Sequence, residues 1–148
     1  MSLHGTYEDD NIFAKMIAGD IPCVKVYEDD IAMAFMDIFP QSDGHTLVIP
    51  KQAKARNFLE LPGDYVGSFM QRVQKVAQGV EAGLKPDGIV ITQFNGAPAG
   101  QTVFHLHFHI IPRWEGKSMA GHGQAGQASP ETLLPLAEKI SAAIGRAS

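Results

Sequence analysis

The 148-residue chain is 45% hydrophobic and 19% charged with a formal net charge of −4, a composition that fits one globular domain and excludes disorder. With 12 Lys+Arg against 16 Asp+Glu, no basic excess exists to hold a nucleic-acid backbone by charge, so nucleic acid is not expected as a partner. Apolar stretches are too short to span a bilayer, residues 1–10 lack the apolar core of a secretory signal, and the single Cys23 cannot form an intrachain disulfide, so a cytoplasmic protein without membrane contact is expected.

Residues 11–19 read as a short helix, with Ile12, Phe13, Met16 and Ile17 on one face, Asp10 or Asn11 as the cap and Gly19 as the stop. Ile21-Pro22 forces an extended exit. Residues 24–27 and 31–36 read as strands joined by the acidic turn Glu28-Asp29-Asp30, and 45–50 as an apolar strand closed by Pro50. From Pro62 to about Gly83 apolar residues recur at helical spacing (Phe69, Met70, Val73, Val76, Val80), which predicts the main helix, ended by Gly83 or Pro86. Residues 88–94 read as a strand that runs into the glycine-bearing loop 95–100. Residues 102–111 read as the last long strand, stopped by Pro112. Residues 116–129 read as a flexible Gly/Ala/Gln-rich loop, and 130–146 as a C-terminal helix with Ser129 as cap and Pro130 in first position. Helices and strands do not alternate strictly. The predicted class is therefore α+β, with a five-stranded, mainly antiparallel sheet in a single domain over residues 1–148 and a core of about 11–115.

Three of the six histidines, His105, His107 and His109, fall within five residues. In a strand they would share one face at steps of about 7 Å, with Phe104, Leu106, Phe108 and Ile110 on the other face beneath the main helix. A single buried histidine is usually structural, but a polar face made wholly of imidazole is hard to explain by packing. Two chemistries remain. One is a metal site, although no further carboxylate or cysteine ligand stands at matching spacing. The other is phosphoryl or nucleotidyl transfer with an imidazole nucleophile. The adjoining loop Asn95-Gly-Ala-Pro-Ala-Gly-Gln-Thr102 brings amide and hydroxyl donors, and glycines that allow close approach to the backbone, which favours phosphate.

The run His105-Leu-His-Phe-His-Ile-Ile111 resembles the motif of the histidine triad family. So do Asn95-Gly and Ala-Gly-Gln-Thr-Val-Phe before it, Ile-Pro-Arg113 after it, and the upstream blocks 12–22, 34–38 and 44–51 in the family's order. The nearest branch is the bacterial nucleotide-binding one related to nucleoside phosphoramidases. The resemblance implies its fold and a homodimer that joins two sheets across the subunits. It also implies attack on the α-phosphorus of a purine nucleoside 5′-phosphoramidate or related phosphoanhydride, through a nucleotidyl-histidine. His107 corresponds to the nucleophile, its second nitrogen donating to a backbone carbonyl of its own strand. His109 corresponds to the residue contacting phosphate and leaving group, and His105 lies one shell back with His45 as a hydrogen-bonding neighbour. Asn95, Gln101 and Thr102, with the N–H groups near Gly100, correspond to phosphate or leaving-group contacts, and Asp37 to the ribose acceptor. Phe35, Ile38, Ile12, Phe13 and Met16 would sandwich the purine.

Many bacterial members carry Cys-Ile-Phe-Cys in the first helix and a histidine after the Val-Ile-Pro-Lys block, which hold structural zinc together with the first triad histidine. Here Asn11, Ala14 and Ala53 stand at those positions and Cys23 lies outside them. Neither a structural zinc nor a cofactor is therefore expected. His122 reads as a solvated loop residue, Lys51 as a surface charge, and Arg113 as a structural or interface cation. Trp114 reads either as a cover for the leaving-group side or as a subunit contact. Two rival functions are a nucleotide-binding module without physiological catalysis and a metal-dependent enzyme using the histidine row.

Overall fold

The computed structural model describes residues 3–118 and 126–147; His122 and the middle of the predicted 116–129 loop lie outside them. The order is α1 (Ile12–Ala18), β1 (Lys25–Glu28), β2 (Ala32–Met36), β3 (Thr46–Pro50), α2 (Gly63–Leu84), β4 (Gly88–Thr92), β5 (Phe108–Arg113) and α3 (Pro130–Ala147). Single 3-10 turns lie at Phe58–Glu60 and Ala97–Ala99. The strands form one antiparallel sheet in the order β1-β2-β3-β5-β4, and the fold is α+β.

Strand alternation divides the interior in two. Ala32, Ala34 and Met36 of β2, Val48 of β3 and Ile110 of β5 face the main core, where they meet Phe69, Val73, Val76 and Val80 of α2 and Leu133 and Ile140 of α3. Each large side chain buried there stabilises the fold by about 1.5–3 kcal/mol. The alternate residues Met33, Phe35, Leu47 and Ile49 face the other way and pack with Phe13 of α1. The functional side chains gather on this second face.

Helix ends follow local chemistry. The Asn11 side chain accepts from Ala14 N, and Gly19 closes α1 at φ 85°. Of the two expected stops for the main helix, Gly83 and Pro86, the second applies: Lys85, at φ 53°, adopts the left-handed cap directly before Pro86, while Gly83 stays helical. Its missing Cβ is what lets α3 approach, since a Cβ there would lie 2.6 Å from the Lys139 carbonyl oxygen. In α3, Ser129 Oγ accepts from Thr132 N at 3.4 Å, a weak cap.

The last strand departs from expectation at both ends. It begins at Phe108 rather than Thr102, and it continues through Pro112, which pairs with Ile89. On the β3 side, pairing covers only Phe108, His109 and Ile110. Pro112 therefore sits beyond the last β3 partner, and residues 102–107 lie outside the strand ladder, with a bend at 103–105. Phe104 is only half-buried, beneath the Arg56 guanidinium at 4.7 Å, and is not part of the main core. No described helix is long and apolar enough to cross a membrane.

Candidate active site

Between α1, the second face of the sheet and the 94–103 loop lies a cavity of about 380 Å³. Ile12, Phe13, Met16, Phe35 and Ile38 give it an apolar wall, and Asp37, Gly100, Thr102, His107 and His109 also line it. Cys23, Gln41, Leu47, Phe94 and Val103 line it as well, and sequence reasoning did not single out these five for the site. Phe94 and Phe13 set their rings against His109 and His107, with centroids 5.4 and 5.0 Å apart. An aromatic residue just before an Asn-Gly turn was the one available signal for Phe94.

The triad rings are oriented by fixed partners. His107 Nδ1 lies 2.8 Å from the backbone oxygen of His105. A carbonyl oxygen can only accept, so Nδ1 carries the proton and the Nε2 lone pair is the nucleophilic one. His109 is set in the opposite sense. The Gln41 backbone N–H donates to His45 Nδ1 at 3.0 Å, which leaves the His45 proton on Nε2. That nitrogen lies 2.9 Å from His109 Nδ1. His109 Nδ1 therefore accepts, and its own proton resides on Nε2. The two rings, with centroids 5.1 Å apart, present an acceptor and a donor side by side. His45 thus bonds to His109 rather than to His105, and Asp37 Oδ2 lies 3.4 Å from His45 Nε2.

His105 is 1% exposed and does not line the cavity. Its Nε2 donates to the Pro50 carbonyl at 3.0 Å, and its Nδ1 accepts from the Tyr7 hydroxyl at 2.6 Å. Burial, offset in part by the Pro50 bond and reinforced by nearby His107, lowers its pKa to about 4, so the ring is neutral at pH 7.

Asn95 and Gln101, expected to meet phosphate, instead brace the loop. Gln101 is 3% exposed; its oxygen accepts from Gly96 N, and its nitrogen donates to the Arg56 and Val103 carbonyls. Asn95 Oδ1 accepts from Phe58 N and from Gln93. The Gly100 and Gln101 amides close on Ala97 O and Gly96 O inside the turn. Thr102 alone of the expected polar loop side chains faces the cavity, and it is exposed. Asp37 Oδ1 accepts from Phe39 N at 2.8 Å. Trp114 is half-buried away from the cavity, with Lys117 over its ring.

The donor set around His105 does not fit a zinc ion. Both ring nitrogens are hydrogen-bonded, the Asn11 side chain caps α1, and Ala14 and Ala53 bear no ligand atom. Nor does the triad row converge, because each ring turns to a different partner. Among the described residues, the group whose ligand atoms do approach, within 4.8 Å, is Asp37, His45 and His109. Its two imidazole nitrogens face each other across a hydrogen bond.

A family model described as the HIT domain matches residues 18–116. The "Protein hit" of Bacillus subtilis is 40% identical over 133 residues, covering 88% of this chain and 91% of that protein. The adenosine 5′-monophosphoramidase hnt1 of Schizosaccharomyces pombe is 40% identical over 134 residues, covering 90% and 97%. Among solved structures, a HIT-like protein of Bartonella henselae superposes with a TM-score of 0.85 at 48% identity, covering 93% of this chain and 99% of that one. The triad, the fold around it and these matches agree: the chain belongs to the histidine triad family.

Proposed function

We propose that this protein is a nucleotidyl hydrolase or transferase that cleaves purine nucleoside 5′-phosphoramidates, or related phosphoanhydrides, at the α-phosphorus. The observation that carries this function is the bond from His107 Nδ1 to the His105 carbonyl, which leaves the Nε2 lone pair for attack. In the first half-reaction the His107 Nε2–P bond forms and the P–N bond breaks. The leaving amine takes the proton of His109 Nε2. In the second, water loses a proton to His109, attacks phosphorus and releases the nucleoside monophosphate. Asp37 would accept the ribose hydroxyls, and Ile12, Phe13, Met16, Phe35 and Ile38 would hold the base. The name of the yeast relative supports the same class of substrate.

We further propose one domain over the whole chain, acting in the cytoplasm without structural zinc or another cofactor. It would pair as a homodimer along edge strand β4, where Ile91 is 49% exposed. The test is turnover of adenosine 5′-phosphoramidate by wild type and His107→Ala, with acid-quench trapping of the adenylyl-protein and a parallel assay in chelator. Loss of a single-function nucleophile is expected to lower kcat by about a thousandfold or more, with binding of adenosine monophosphate retained. Undiminished turnover by His107→Ala refutes the covalent route. Binding without turnover by wild type favours the binding-module alternative, and loss of activity in chelator favours the metal-dependent one.

A further inference from the structure

Residues 3–10 run across the protein outside any helix or strand, and among them Tyr7 alone is not exposed. The strap is tied at several points to the segment that follows β3. Asn57 Nδ2 donates to Leu3 O at 2.9 Å, Arg56 donates to Thr6 O at 3.2 Å, and Lys54 pairs with Asp9 at 2.8 Å. Its one inward group is the Tyr7 hydroxyl, which meets His105 Nδ1 at 2.6 Å, the two rings edge to face at 5.7 Å. Tyr7 does not line the nucleotide cavity.

The segment on which this hydroxyl acts lacks the usual backbone restraint. Strand pairing starts at Phe108, so no ladder fixes the carbonyl of His105. Its direction is set by the neighbouring Leu106 N–H bond to Ala55 O at 2.9 Å and by the clamp on the His105 ring. Pro50 O holds one ring nitrogen and Tyr7 the other. That same carbonyl accepts the Nδ1 proton of His107. Resting on the function proposed above, we infer that Tyr7 is a positioning residue for the nucleophile. Its hydroxyl fixes the His105 ring, the ring fixes the His105 carbonyl, and the carbonyl fixes the tautomer and aim of His107. The strap therefore belongs to the catalytic apparatus without touching substrate.

The experiment is Tyr7→Phe in the full chain, with Lys54→Ala as a control that loosens the strap but keeps the hydroxyl. Two quantities are read: the single-turnover rate of adenylyl-protein formation from adenosine 5′-phosphoramidate, and the ¹⁵N imidazole spectrum of His107, which reports its tautomer. Loss of one buried hydrogen bond worth about 1–1.5 kcal/mol predicts an approximately 5- to 10-fold slower adenylylation. Adenosine monophosphate affinity should stay nearly unchanged, a second His107 tautomer should appear in Tyr7→Phe, and Lys54→Ala should match wild type in both. An unaltered His107 spectrum in Tyr7→Phe overturns the inference, whether or not the rate falls, because a rate loss alone would mark Tyr7 as general support. If wild type forms no adenylyl-protein, the proposed reaction fails, while the spectrum still decides the role of Tyr7.

Discussion

The low pKa of His105 makes stability a measurable function of pH. The folded ring titrates at about 4 against 6.5 for an unperturbed histidine, so across that window the unfolded chain binds more protons than the folded one. Stability is complete above pH 6.5, falls as pH drops through it, and stops falling below about 4 on this group's account. Between pH 7 and pH 5 the loss amounts to about 2 kcal/mol. Replacement by glutamine in His105→Gln removes the titration while keeping an amide donor near Pro50. Urea unfolding at fixed protein concentration, at pH 7, 6 and 5, gives the two stability curves. The variant is expected to start lower at pH 7 and to lose about 2 kcal/mol less than wild type by pH 5. Parallel curves would refute the account, since they would mean that the buried ring is not the group taking up the proton.

Two glycines on α2 form an internally controlled pair. Gly83→Ala drives a Cβ to within 2.6 Å of the Lys139 carbonyl oxygen and should cost about 1–3 kcal/mol by prising α2 from α3. Gly67→Ala meets nothing within 4 Å and should stabilise by about 0.5–1 kcal/mol; thermal melts of both should therefore move in opposite directions. Gln101→Ala removes three hydrogen bonds of a buried amide, worth about 2–3 kcal/mol together. Hydrogen exchange should quicken at the Gly96 amide before it does so in the β2–β3 ladder.

Amphipathic period and end chemistry made α1 and α2 legible, because Asn11, Gly19 and the recurring Phe69, Val73, Val76 and Val80 each act locally. Alternating histidine and apolar residues predict a strand from Thr102, but alternation of residue type does not reveal whether the backbone bends or is paired, and residues 103–105 bend. His105, Leu106 and His107 are all buried, and the hydrogen bonds of the first two go to the His107 ring and to Ala55 rather than to a neighbouring strand. Proline rules misplaced the strand end for a related reason: Pro112 is tolerated where β3 has already stopped. The apolar pocket wall at Ile12, Phe13 and Met16 could be read from the resemblance. The bracing by Gln101 and Asn95 could not, since a polar side chain in a loop gives no sign whether it faces a ligand or its own backbone. Tyr7 was invisible for the plainest reason: its partner lies 98 positions away.

The row of donors behind His109 has a dead end. It starts at the peptide nitrogen of Gln41, which cannot give up its hydrogen at any ordinary pH, so the polarity of His45 and then of His109 is wired in one direction. A proton surrendered from the front of that row cannot be replenished from behind. It must return from the cavity itself, so the two halves of a catalytic cycle would be obliged to balance against each other, with bulk solvent acting only through the water molecule that enters the cavity.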